Sequence, residues 1–202
     1  AARRRQRTNP GGKPVVLFSS DEDGTRRALP LATAEAKALA KGQSVTPLDA
    51  SAINRESLLS TLAEASELHA ALHAVSDSDD PSSSRLRAGP TRVTVTEIAA
   101  LHIEQAWLAY LSACETTLTT AELADEAIHL TAAFQLAGFA HVVGTLWRIP
   151  DAVAARAART FYRYLSDPAQ TPASAVHRTV LDLRARYSDS PATWAAHLHM
   201  GA

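Results

Sequence analysis

Short apolar runs ended by polar residues alternate with helix-favouring stretches along this chain. Pro14–Ser19, Val45–Leu48, Leu68–Leu72, Ala106–Leu111 and His141–Leu146 each have the length of a buried strand. Helix-favouring stretches separate most of them. Strands that alternate with helices imply parallel pairing through right-handed crossovers, with helices covering both faces of the sheet. The expected class is therefore α/β. No internal repeat, glycine-rich phosphate loop or clear domain boundary interrupts the pattern.

The intervening stretches carry their own signals. Leu31–Lys41 is alanine-rich, and Gly42 is a plausible stop. Asn54 is placed to cap a helix to about Ala65, with Leu58, Leu59 and Leu62 on one side. Asp77–Gly89 reads as a polar loop, and Thr96 as the cap of a brief helix to Leu101. Thr119 or Thr120 opens a longer helix to about Ala137, where Gly138 takes the terminating position. Val153, Ala157, Phe161 and Leu165 recur every four residues along a helix for which Asp151 is a good N-cap. Thr171-Pro172 opens a last long helix to about Tyr187. Pro191 and Trp194 lead to a short strand near His197–Met200.

At 202 residues the chain holds one ordinary domain with a substantial core. Apolar residues make up 46% and charged residues 20%, a globular balance. A net charge of −1 creates no field that would draw nucleic acid or an acidic membrane. Residues 1–13 contain the basic cluster Arg3-Arg4-Arg5-Gln6-Arg7 and read as a solvated, disordered arm; nucleic-acid binding by it is the lesser alternative. No apolar run reaches membrane-spanning length, and the start lacks the apolar region of a secretory signal. A single cysteine excludes an internal disulfide and suits the reducing cytoplasm. The opening Ala1-Ala2, without methionine, points to a fragment of a longer protein.

That cysteine, Cys114, follows the apolar run ending at Leu111, in Leu111-Ser112-Ala113-Cys114-Glu115-Thr116. Open α/β sheets place ligand crevices outside the carboxyl ends of their strands. A second run, Leu68–Leu72, ends at His73, 41 residues earlier, which leaves room for a crossover between neighbouring parallel strands. A thiol has a pKa near ~8.5 that a histidine partner lowers, and the thiolate so formed attacks a carbonyl. Backbone N–H groups near Cys114 and after His73 are candidate oxyanion donors. The bland alternative is a buried cysteine acting as a small hydrophobe.

At these residues the chain resembles the CHAT domain, a caspase-like cysteine peptidase module often found beside tetratricopeptide repeats. The family pattern His-Phe-Ala-Cys-His-Gly is matched by His69-Ala70-Ala71-Leu72-His73-Ala74, and Leu-Ser-Ala-Cys-x-Thr by Leu111–Thr116. Asp125–Leu130, Ala137–Trp147, Asp151 and Trp194–Gly201 extend the resemblance, which runs from about Pro14 to the end. It implies a caspase-like three-layer fold over 14–202, with a mainly parallel central sheet and helices on both faces. It also implies His73 as catalytic histidine, Cys114 as nucleophile, and the N–H groups of Ala74 and Cys114 as the oxyanion site. Ala74 stands where the family has glycine, and alanine is penalised at positive φ.

Related peptidases use an acidic residue after the Gly-Thr-Leu-Trp strand to receive a basic substrate side chain. Asp151 is thus either that residue or a helix cap. His69 reads as a packed or hydrogen-bonded histidine, and His197 and His199 as structural. Glu115 either orients His73 or faces solvent, and Asp125 and Glu126 favour a helix start. The expected partners are a peptide or protein substrate and a tetratricopeptide-repeat or other regulatory domain. Nucleic acid, membrane, metal and cofactor are not expected. A cytoplasmic cysteine endopeptidase is the first reading. A catalytically degenerate module serving as a scaffold is the alternative.

Overall fold

The first apolar run forms β1 (Lys13–Phe18), and the alanine-rich stretch forms α1 (Pro30–Gln43). The computed structural model describes residues 13–20, 30–43, 45–75, 84–112 and 130–201. A two-residue strand, β2 (Leu48–Asp49), precedes α2 (Arg55–Ala63). The Asn54 side chain caps α2 by accepting the Ser57 N–H over 2.8 Å, as its sequence position predicts. β3 (Ala65–Ala71) and β4 (His73–Val75) follow, separated by Leu72 alone. β5 (Arg85–Ala88) and β6 (Thr91–Thr94) form a hairpin, and α3 (Val95–Ala99) leads toward β7 (Leu108–Leu111).

The chain is helical again over residues 130–137 (α4) before β8 (His141–Thr145). The last part is α5 (Asp151–Leu165), α6 (Pro172–Arg186), the single turn α7 (Pro191–Trp194) and β9 (His197–Gly201).

The main sheet has the order β2-β1-β3-β7-β8-β9. All its pairs are parallel except β8 with β9. Alternation along each strand sends side chains to two different helical layers. Leu17, Leu68, Ala70, Ala109, Leu111 and Val142 pack with Leu58 and Leu62 of α2, Ile98 of α3, and Leu130 and Phe134 of α4. On the opposite face, Val16 and Phe18 meet Ala32 and Ala36 of α1, while Leu108, Tyr110 and Val143 meet Ala158, Phe161 and Leu165 of α5. This is the mixed α/β, mainly parallel, helix-flanked architecture expected from the sequence pattern.

Val153, Ala157, Phe161 and Leu165 are all buried, so the four-residue recurrence does mark the inner side of α5. Gly138 ends α4 with φ +122°, and a Cβ there would lie 2.4 Å from the Ile103 carbonyl oxygen. Glycine is required at that corner both by conformation and by the close approach of the β7 lead-in.

Some local expectations are corrected. The stretch expected as a polar loop to Gly89 contains β5, because Leu86 and Ala88 alternate with arginines and bury one face. The brief helix after β6 is capped by Thr94, not Thr96: Thr94 and Glu97 form a reciprocal capping box. Asp151 is the first residue of α5 and not its cap, because Pro150 takes the cap position, with no side-chain cap bond. Leu123, Ala124, Ala127 and Ile128, expected on the long helix ending at Ala137, lie outside the described residues, as does most of the expected arm at residues 1–13.

Candidate active site

β3 and β7 are adjacent and parallel, with His69 in register with Tyr110 and Ala70 with Leu111. Both strands therefore end at the same edge of the sheet. β3 stops at Ala71, and His73 lies just beyond it as the first residue of β4, opposite Arg87 in the β4–β5 ladder. His73 is 7% exposed. A strand break after Ala71 places it in a second, three-stranded sheet, β4-β5-β6, and not on the end of the main sheet itself. The next residue, Ala74, pairs with Leu86 in extended strand conformation. Extended backbone suits alanine, so the positive-φ penalty does not arise at Ala74.

β7 ends at Leu111 and the chain is described as far as Ser112. Cys114, Glu115, Asp125 and Glu126 lie outside the described residues. Ser112 is held twice. Its N–H donates to the Ala70 carbonyl of β3 over 2.9 Å, and its hydroxyl donates to Glu35 Oε1 over 2.5 Å. His69 Nε2 stands 2.9 Å from the same Glu35 oxygen, an electrostatic approach and not a well-aligned hydrogen bond. On the other side of the ring, His69 Nδ1 and Tyr162 Oη are 3.3 Å apart. Tyr110 stacks on the imidazole with ring centroids 5.2 Å apart.

These contacts form a closed polar cluster inside the α1/α5 layer. Glu35 and His69 are each 3% exposed and Ser112 is 5% exposed. A buried carboxylate is tolerated only with partners, and here a hydroxyl and an imidazole supply them. Burial pushes the Tyr110 and Tyr162 hydroxyls well above their ordinary range, and the charge of Glu35 adds to both effects. Both phenols therefore stay protonated, which leaves the Tyr162 O–H able to donate to His69 Nδ1. His69 is thus a packed, partnered histidine, as its sequence context predicts. Glu35 and Tyr162 were not singled out by the sequence. The readable signal was Glu35 itself, a charge between Ala32, Ala36 and Leu39 on the buried side of α1.

The remaining site expectations fall elsewhere. Asp151 opens α5, half-buried and without a capping bond, so its side chain is not committed to the helix start. Its location follows β8, whose exit is held by the Leu146 N–H donating to the Ala196 carbonyl. His197 and His199 lie on β9. Burial pushes His197 down to about 4; burial and the neighbouring His141 push His199 down to about 4 as well. His141 Nδ1 and His199 Nε2 are 3.2 Å apart across β8 and β9. Among the described residues no group of three or more His, Cys, Asp or Glu side chains is placed to hold a metal ion. Among the same residues no helix is long and apolar enough to cross a membrane.

A mainly parallel sheet with helices packed on both of its faces defines a module of the caspase-like α/β class. The chain belongs to the CHAT-domain family, whose profile matches residues 1–202. Among solved structures it is similar to the separase of Saccharomyces cerevisiae in its complex with securin, with a TM-score of 0.58 and 16% identity. That similarity covers 94% of this chain but only 12% of the separase chain. No curated protein matches the chain.

Proposed function

We propose that this chain is a cysteine endopeptidase module in which His73 activates Cys114. The observation that carries the reading is the parallel adjacency of β3 and β7, whose chain continuations lead to His73 and toward Cys114 at one sheet edge. Family membership and the caspase-like fold support the same chemistry.

In this reading His73 accepts the Cys114 proton, and the thiolate adds to the substrate carbonyl carbon. The N–H groups of Ala74 and Cys114 receive the oxyanion, and one such donor is worth roughly 10²–10³ in rate. As the tetrahedral centre collapses, the C–N bond breaks and His73 returns the proton to the departing amine. Water, deprotonated by His73, then cleaves the thioester and restores the thiol. Asp151, uncommitted as a cap, receives the Arg or Lys side chain before the cut. A partner domain or protein regulates the module in the cytoplasm; the similar separase structure, a complex with securin, supports a protein partner.

The test is labelling of Cys114 with a thiol-directed peptide electrophile, in the parent and in His73→Gln. Rapid labelling that collapses in His73→Gln supports the peptidase. A second reading is favoured by the burial of His73: a degenerate module that serves as a scaffold. Slow labelling, equal in the two proteins, selects it.

A further inference from the structure

We propose that Glu35 is a positioning residue for the catalytic dyad, acting through Ser112 and His69; this rests on the peptidase reading above. One carboxylate oxygen of α1, Glu35 Oε1, contacts both strands that lead to the dyad. It accepts the Ser112 hydroxyl, two residues before Cys114, and faces the His69 ring, four residues before His73.

The arrangement is more than a packing contact. Ser112 is the last described residue of the cysteine arm, and both its N–H and its O–H are used to fix it. The first ties it to Ala70 of β3, the second to α1. His69 is held from three directions: by Glu35, by Tyr162 of α5 at 3.3 Å and by the Tyr110 ring of β7. The two arms of the dyad are thereby referred to one buried atom. Water competes little, because Glu35, His69, Ser112 and Tyr110 are nearly fully buried. A nucleophile and its base must be held within a fraction of an ångström, and a misplacement of about 1 Å costs on the order of 10²-fold in rate. Hydrogen bonds from rigid elements to the residues just before the reacting groups supply that constraint.

The test uses the full 202-residue chain, whose single cysteine makes thiol alkylation unambiguous. The rate of iodoacetamide alkylation is followed against pH in the parent, His73→Gln, Ser112→Ala, Ser112→Thr and Glu35→Gln, together with thermal unfolding of each. The parent is expected to show a thiol midpoint below the ordinary ~8.5 that returns toward it in His73→Gln. Ser112→Ala and Glu35→Gln should move the midpoint in the same direction and lower peptide turnover by roughly 10–100-fold. Ser112→Thr, which keeps the hydroxyl, should recover most of the parent profile.

Ser112→Ala removes one oxygen and so keeps the test valid if Glu35→Gln fails to fold. Altered unfolding temperatures with an unmoved midpoint and turnover would make the cluster purely structural and overturn the proposal. A parent profile that is indifferent to His73→Gln would instead overturn the peptidase reading, and the positioning role with it.

Discussion

Ser112, at the end of β7, donates its hydroxyl to Glu35 of α1 over 2.5 Å, a contact between residues 77 apart in the chain. It joins the first long helix to the strand that leads to the cysteine and encloses a carboxylate in the core. Glu35→Ala would leave the Ser112 hydroxyl without its acceptor and His69 without its counter-group. Leaving a buried polar group without its hydrogen-bond partner costs about 1–3 kcal/mol. Urea unfolding at pH 7 should show a loss of that size, and Glu35→Gln a smaller one, because an amide oxygen still accepts from Ser112.

Cys114→Ala and His73→Gln should each abolish peptide hydrolysis. His73 is buried, so truncation to alanine would add a cavity to the chemical loss; glutamine keeps the volume. Circular dichroism and unfolding should stay near the parent for Cys114→Ala. Unfolding of Cys114→Ala, together with a parent that never cleaves any peptide, would restore the buried-thiol reading.

Asp151→Asn addresses specificity. The side chain does not cap α5, so the substitution should cost less than about 1 kcal/mol, the usual worth of a carboxylate near a helix start. If Asp151 pairs with a desolvated Arg or Lys of the substrate, its neutralisation costs roughly 2–5 kcal/mol of binding selectivity. Cleavage of a peptide library should lose its basic preference before the cut. An unchanged profile would remove Asp151 from the site.

Ala74→Gly should gain nothing. Ala74 is a strand residue paired with Leu86, a conformation alanine adopts freely. Glycine there should cost about 0.5–1 kcal/mol of stability through its greater freedom in the unfolded chain. Turnover should stay within about twofold of the parent, since extended backbone leaves no strain for glycine to relieve. A large rise in turnover would mean that the loop must leave strand geometry to work.

His197 sets a pH dependence. Burial lowers it from 6.5 to about 4, so the folded protein holds it neutral where the unfolded chain binds a proton. Its contribution is complete above pH 6.5 and is lost as pH falls toward 4. The displacement corresponds to about 3 kcal/mol. Urea unfolding between pH 7 and 4 should show this decline, and His197→Leu should reduce it, leaving the part that His199 contributes. An unchanged slope in His197→Leu would assign the acid sensitivity to other groups.

Local sequence determined much of the architecture. The Asn54 cap, the Thr171-Pro172 start, the four-residue recurrence along α5 and the glycine at 138 are decided within one or two turns of chain, by hydrogen bonding and sterics. Four of the five apolar runs gave strands of the main sheet, while of Val45–Leu48 only Leu48 is strand, in β2; the alternation with helices gave the parallel pairing of all but β9. The break at Leu72 was not legible, because one apolar run continues through a change of sheet. Hydrophobic pattern records burial without recording which partner supplies it. Nor did sequence show that Pro150 would displace Asp151 from the cap position, or that β5 lies inside a stretch rich in turn residues. Only tertiary structure brought Glu35, His69, Ser112 and Tyr162 together, from four separate elements. A buried charge becomes tolerable only when distant groups converge on it, and no local rule of propensity or periodicity encodes that convergence.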